Sequence, residues 1–238
     1  MDDSANSVEP TVPRDRWRLI YNGLDLETFG TNRSVRSRVR AEWGLQPSTI
    51  AIGTASSISP RKRLGHFVKL IGELSGAGLD VRGFIAGQPY FPEDEDELRS
   101  LRALTASLGL EGRLTFLGYV EPSEPLYHAW DVCVSTSAYE TFGMTVLEAM
   151  ACGCPVVAYP GGSVEEVLGD GGVLVEDQNL PALVGAVRGM VTDPARRSQS
   201  GATARARASR FDLRKSVDLL VSEYRSVLGA VAHGSWAR

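Results

Sequence analysis

The 238-residue chain reads as an α/β protein built on a doubly wound, mostly parallel sheet, with a long C-terminal helix. Three observations predict this class. Short runs rich in Val, Ile, Leu and Phe are continuous rather than alternating, as expected of strands covered on both faces. Longer stretches with helical spacing separate those runs, so strand and helix alternate along the chain. Glycine is also over-represented, at 25 of 238 residues. That is about 10.5% against a typical value near 7%, and the glycines punctuate the apolar runs as tight strand-to-helix turns do.

Taken in order, residues 1–16 are polar, contain Pro10 and Pro13 and lack apolar periodicity, so they read as a flexible lead-in. Strands are predicted at Arg18–Tyr21, Thr49–Gly53, Val81–Ala86, Arg113–Leu117, Val132–Ser135, Val156–Ala158 and Gly172–Val175. Helices are predicted at Arg33–Trp43, Arg61–Ala77, Glu93–Leu108, Gly143–Ala151 and Leu180–Val191. Residues 17–211 thus form one α/β domain. The remainder, 212–238, opens with Asp212 as a helix cap and carries Leu213, Val217, Leu220, Tyr224, Val227, Leu228 and Val231 as one apolar stripe. Such a stripe needs a surface to cover.

Composition removes several classes. Lys plus Arg is 25 and Asp plus Glu is 29, a net charge of −4, which disfavours a nucleic-acid surface. No apolar run approaches the roughly 18 residues of a membrane span, and the start lacks the profile of a secretion signal. Cys133, Cys152 and Cys154 form no disulfide framework, so a reducing, cytoplasmic setting is the expectation. Cys152 and Cys154 read as small buried residues at a helix end, because half a metal site has no second half. His66, His128 and His233 lack metal-ligand spacing, and neither a P-loop nor a dinucleotide fingerprint is present. Asp94 and Asp96 follow Pro92 in the first turn of a helix, where acids complement the dipole, so they read as structural and no metal is assigned.

The informative segment is Ser135–Ala158. A short strand leads into a turn, a helix starts near Gly143, and Gly153 ends it before the next strand. In a doubly wound sheet, ligands bind beyond the C-terminal strand ends. At that helix start the backbone N–H groups of Gly143, Met144 and Thr145 have no intrahelical partners, and Gly143 puts no Cβ in the way of an anion such as a diphosphate. Glu140 precedes the helix, while Glu148 lies about 7.5 Å further along it. A carboxylate accepts two hydroxyl hydrogen bonds at once, which suits a diol. Two acids near a helix start also favour its dipole. That reading suffices for Glu140 but not for Glu148, which lies among Val146, Leu147, Ala149 and Met150 and needs a partner.

Glu140-x7-Glu148 with Phe142-Gly143 between them resembles the donor-site signature of family 4 retaining glycosyltransferases of the GT-B fold. Four further segments resemble family motifs in the same order: Ile20-Tyr-Asn22-Gly23-Leu-Asp25, Ile58-Ser-Pro60-Arg61-Lys62, Leu114-Thr-Phe-Leu-Gly118-Tyr119, and Tyr159-Pro-Gly161-Gly162-Ser163 with Glu165-Glu166-Val167. The resemblance covers about residues 17–230. It implies a Rossmann-like domain, the C-terminal half of GT-B, and transfer of a sugar from a UDP- or GDP-type nucleotide-α-sugar to an acceptor hydroxyl with retention.

By that resemblance, Glu140 and Lys62 are the catalytic pair, one on the donor sugar and one on the diphosphate. Glu148 would hold the ribose, Gly143, Met144 and Thr145 would face sugar and diphosphate beside Phe142, and Gly118 with Tyr119 would border the base. No metal or other cofactor is obligatory; the nucleotide sugar is a co-substrate. Two departures stand out. Ser57 occupies the position where the family usually carries a second diphosphate-binding Arg, leaving Arg61 or Arg63 to supply that charge. The chain also matches only the donor half. The implied partners are therefore a sugar, lipid or small-molecule acceptor and an N-terminal GT-B domain, in the same parent protein or a partner chain, on which the 212–238 helix would pack. A non-catalytic nucleotide-sugar-binding subunit is the alternative, and a phosphorylase or epimerase of the same fold is a third reading.

Overall fold

The computed structural model describes residues 17–232; the 1–16 lead-in, His233 and the rest of the tail lie outside the described residues. Six parallel strands form one sheet in the order β3-β2-β1-β4-β5-β6. They are β1 (Ile50–Ala55), β2 (Val81–Ala86), β3 (Leu114–Gly118), β4 (Val132–Ser135), β5 (Val156–Ala158) and β6 (Val173–Leu174). The helices are α1 (Arg33–Glu42), α2 (Leu64–Gly76), α3 (Glu95–Ser107), α4 (Glu124–Ala129), α5 (Met144–Ala151), α6 (Val164–Leu168), α7 (Leu180–Thr192), α8 (Pro194–Ala208) and α9 (Leu213–Ala232).

The continuous apolar runs have the predicted cause. Successive strand residues face two separate cores, one on each side of the sheet. Ala51, Phe84, Cys133 and Val156 point into the core with α4, α5 and α8, while their neighbours Ile52, Ile85, Val134 and Val157 point into the core with α2 and α7. The strand order reverses between β1 and β4, neighbours in space but not in sequence. A crevice opens at such a switch point beyond the strand C-termini.

The opposite sheet end is held by charge. Asp131, at the entry to β4, accepts from Arg36 Nη2 at 2.7 Å, Arg40 Nη1 at 2.9 Å and the Ala51 N–H at 2.8 Å. Asp131 and Arg40 are buried, so each satisfies the other.

Two sequence expectations need correction. Arg18–Tyr21 forms no strand. Side chains claim that segment instead: Tyr21 packs edge-on against Phe211 at 5.6 Å and its hydroxyl donates to Glu166, while Arg18 pairs with Glu223 at 3.5 Å. Helices α4, α6 and α8 were not anticipated. α8 has no stripe of large apolar residues; its buried face is Gly201, Ala204 and Ala208, set close against α5 and β5. Its cap was legible, since Asp193 accepts from the Arg196 N–H at 2.9 Å and Pro194 opens the helix.

α9 forms as predicted and is joined to the domain at its start, where the Leu213 N–H donates to Leu24 O at 3.0 Å and the Leu24 N–H to Phe211 O at 2.8 Å. Beyond that joint its apolar residues Val217, Leu220, Tyr224 and Leu228 are exposed, from 41% to 68%.

Candidate active site

Three loops at the strand C-termini build the site around Glu140. The loop after β1 carries Ser57, Arg61 and Lys62. Its last turn, Pro60–Lys62, is closed by Lys62 N–H to Ser59 O at 2.9 Å and Arg63 N–H to Pro60 O at 3.1 Å. The loop after β4 is tied to it across the switch point: Thr136 Oγ1 donates to Lys62 O at 2.7 Å, and the Ala138 N–H donates to Arg61 O at 2.9 Å. The loop after β5 lies against Glu140, with the Ser163 N–H donating to Glu140 O at 3.0 Å. Only glycine permits that approach, because at Gly162 (φ +61°) a Cβ would lie 2.0 Å from Glu140 O.

This scaffold brings Lys62 and Glu140, 78 positions apart, into direct contact, with Nζ to Oε1 at 2.6 Å. Their side chains are 9% and 16% exposed, so the pair is nearly desolvated. In such surroundings each charge holds its counterpart far more firmly than at an open surface.

Beside the pair, Gly143 adopts φ +87° and caps α5 without any side-chain hydrogen bond. The first N–H groups of α5, those of Met144 and Thr145, have no intrahelical acceptor and carry the positive end of the helix dipole. Phe142 turns its ring away into an aromatic cluster, 5.8 Å from Phe211 and 6.3 Å from Tyr21, which anchors the turn.

Glu148, one helical stretch further, has the partner the sequence demanded. Tyr127 Oη donates to its Oε2 at 2.6 Å and Ser123 Oγ at 3.3 Å. Burial raises the Glu148 pKa against these two hydrogen bonds, which lower it. Burial first, and then Glu148, push the Cys133 and Cys152 thiols up to about 12, so both stay protonated at neutral pH. Oε1 of Glu148 is free of these donors. Tyr127 and Ser123 escaped sequence reasoning; a Tyr amid the apolar Leu126 and Ala129 is the one signal that a buried hydroxyl sought an acceptor.

The remaining candidates ring this centre. Gly118 ends β3 with φ +72° and accepts from the Gly87 N–H at 2.7 Å. Tyr119 is exposed and its hydroxyl donates to Glu121 Oε2 at 2.7 Å. Ser57 is half-buried and brings no charge, while Arg61 is exposed and its guanidinium meets no partner among the described residues. Arg63 is engaged elsewhere, with Nη1 2.6 Å from Asp177 Oδ1. Asp96 pairs with Arg99, and no group of three or more His, Cys, Asp or Glu among the described residues is placed to hold a metal ion.

A doubly wound parallel sheet with an acid, a lysine and a helix start gathered at its switch point is a Rossmann-like domain of the kind found in GT-B proteins. Comparison with known proteins agrees. Residues 35–207 match the family model "Glycosyl transferases group 1", and the chain belongs to that family. It is 28% identical over 246 residues to the D-inositol 3-phosphate glycosyltransferase of Mycobacterium marinum, covering 98% of this chain and 50% of that protein. Against the enzyme of the same name from Geodermatophilus obscurus it is 34% identical over 242 residues, covering 93% and 52%. Among solved structures, Anabaena HepE in complex with UDP-glucose superposes with a TM-score of 0.81 at 29% identity, covering 88% of this chain and 57% of that one. The resemblance to the C-terminal GT-B domain is thereby borne out, and the chain spans about half the length of these relatives.

Proposed function

We propose that this chain is the donor-binding part of a retaining glycosyltransferase that moves a sugar from a UDP- or GDP-type nucleotide-α-sugar to an acceptor hydroxyl. The Lys62–Glu140 pair beside the uncapped start of α5 carries this reading. A nucleotide sugar offers an anion next to a polyol, and the site offers a cation and a helix dipole next to a carboxylate. Lys62 and the N–H groups of Gly143, Met144 and Thr145 would take the charge developing on the leaving diphosphate. Glu140 would accept from hydroxyls of the transferred sugar, and Glu148 from the ribose diol. Gly118 and Tyr119 would border the base. Arg61 is the better candidate for the second diphosphate charge, because Arg63 is held by Asp177 while Arg61 is exposed. The leaving phosphate would take the acceptor proton on the same face, so no separate base is required.

The acceptor, whether a sugar, lipid or small molecule, would be bound by an N-terminal GT-B domain from the parent protein or a partner chain. Two observations support that partner: the exposed stripe of α9, and relatives about twice as long. A cytoplasmic setting fits the three free cysteines and the sugar-nucleotide donor. Ser57 in the loop after β1 favours a second reading, a subunit that binds the donor without catalysis.

Titrating UDP-glucose, GDP-mannose and the bare diphosphates by calorimetry tests the proposal. Binding of one nucleotide sugar in preference to its diphosphate is expected, with that preference lost in Glu140→Ala. Absence of binding to any of them would overturn it. Donor hydrolysis or transfer above background then separates the enzyme from the binding subunit.

A further inference from the structure

Among the described residues, two that are not glycine adopt positive φ, Arg63 at +49° and Gln178 at +58°. They are far apart in sequence but flank one ion pair, Arg63 Nη1 to Asp177 Oδ1 at 2.6 Å. Left-handed backbone at such residues persists only where surroundings over-determine it. Arg63 is the joint between the Lys62 turn and α2: its N–H closes the turn on Pro60 O, and its carbonyl accepts from the His66 N–H at 2.9 Å. Asp177 lies in the loop between β6 and α7 and also accepts from Gln178 Nε2 at 3.4 Å. The pair therefore links the loop after β1 to the loop after β6, three places along the sheet. A second tie runs beneath it, where His66 Nδ1 meets Tyr159 Oη at 2.9 Å.

From this geometry we infer that Arg63 and Asp177 are positioning residues, a latch that fixes the turn presenting Lys62 to the donor diphosphate. The inference rests on the donor-site reading above. Lys62 is the residue before the strained joint, and its own carbonyl is already fixed by Thr136. Without the Asp177 carboxylate the Arg63 side chain loses its partner, the joint is held by its backbone hydrogen bonds alone, and the lysine reaches the diphosphate with less preorganisation. Neither Arg63 nor Asp177 need touch the donor.

The test is a mutant cycle read by calorimetry with UDP and GDP against UMP and GMP, and thermal unfolding alongside. Because the Asp177 side chain is 42% exposed, Asp177→Ala is expected to weaken the preferred diphosphate about fivefold, or ~1 kcal/mol, and the monophosphate little. Asp177→Glu restores the carboxylate and recovers most of the loss. Arg63→Ala, which removes the side chain but keeps the strained backbone, reproduces Asp177→Ala, whereas Arg63→Gly, which adopts φ +49° without strain, loses less and guards against a variant that fails to fold. In a Lys62→Ala background, Asp177→Ala has no further effect. If Lys62→Ala weakens the diphosphate but Asp177→Ala and Arg63→Ala do not, or if their effect persists undiminished without Lys62, the latch is overturned alone. If Lys62→Ala itself leaves diphosphate binding unchanged, the donor-site reading falls, and the latch with it.

Discussion

Glu148→Gln separates function from stability in one substitution, because the two should move in opposite directions. The amide keeps the shape and one acceptor oxygen, which can still receive the Tyr127 and Ser123 hydroxyls, now 2.6 and 3.3 Å from Oε2. What disappears is the negative charge facing the proposed ribose. A hydrogen bond to an ionised acceptor contributes about 1.5–3 kcal/mol, and roughly half of that is the charge. Two ribose hydroxyls then lose ~1.5–3 kcal/mol between them, so nucleoside diphosphate affinity should fall roughly 10- to 150-fold. Stability should rise. Burial raises the Glu148 pKa, so the native state binds more protons than the unfolded chain once pH exceeds the ordinary carboxyl value. Wild-type stability therefore falls as pH rises through the shifted value, and a neutral side chain escapes that loss. For a chain of this size each 1 kcal/mol is about 2–4 °C of melting temperature. Calorimetry with UDP or GDP gives the first quantity and thermal unfolding at pH 7.5 and pH 4 the second. The stabilisation by Glu148→Gln should shrink at the lower pH. Wild-type affinity should itself weaken on acidification, as Glu148 gains a proton, whereas that of the variant stays flat. Affinity within twofold of wild type, or a lower melting temperature at pH 7.5, would refute the assignment.

Asp131→Ala should cost about 3–5 kcal/mol, because it strands the buried Arg40. The cost is read from chemical denaturation and should leave diphosphate affinity of the folded protein unchanged; a loss below about 1 kcal/mol would contradict the burial argument. Gly162→Ala places a Cβ 2.0 Å from Glu140 O at a backbone angle of +61°. Its nucleotide-sugar preference over the bare diphosphate should collapse while Glu148-dependent nucleotide binding survives, and parallel titrations of the two ligands check this.

Local physics was legible in the sequence and long-range pairing was not. The sheet could be read because burial on both faces leaves strands such as Val132–Ser135 and Val156–Ala158 without polar alternation. The start of α5 could be read because Gly143, Glu140 and Glu148 lie on one short segment whose rise per residue is known. Lys62 and Glu140 were both nominated, yet their contact depends on β1 and β4 becoming neighbours, which no local pattern encodes. The Arg63–Asp177 pair was invisible for the same reason: one member is at the turn after β1 and the other beyond the last strand. α8 was missed because helix prediction leans on large apolar residues, and its close packing is achieved with Gly201, Ala204 and Ala208. Arg18–Tyr21 was misread because Tyr21, apolar and β-favouring, is recruited by the rings of Phe142 and Phe211 rather than by a ladder.

The Lys62–Glu140 contact also constrains which ligands the site will admit. Lys62 and Glu140 are nearly buried, so neither charge is tolerable alone, and each satisfies the other. A bare anion that drew Lys62 away would strand Glu140, whereas a neutral sugar that engaged Glu140 would leave Lys62 with a weakened partner. A ligand carrying an anion beside a hydroxyl-bearing group compensates both at once and should bind better than either part alone. Under the proposed roles the ion pair is thus a filter as well as a reactive pair: it discriminates against inorganic phosphate and free sugar by the charge each would leave unmatched. Under the same roles that exchange would ready the chemistry, since Lys62 moving onto the diphosphate would leave the Glu140 carboxylate facing the sugar from which the leaving group departs.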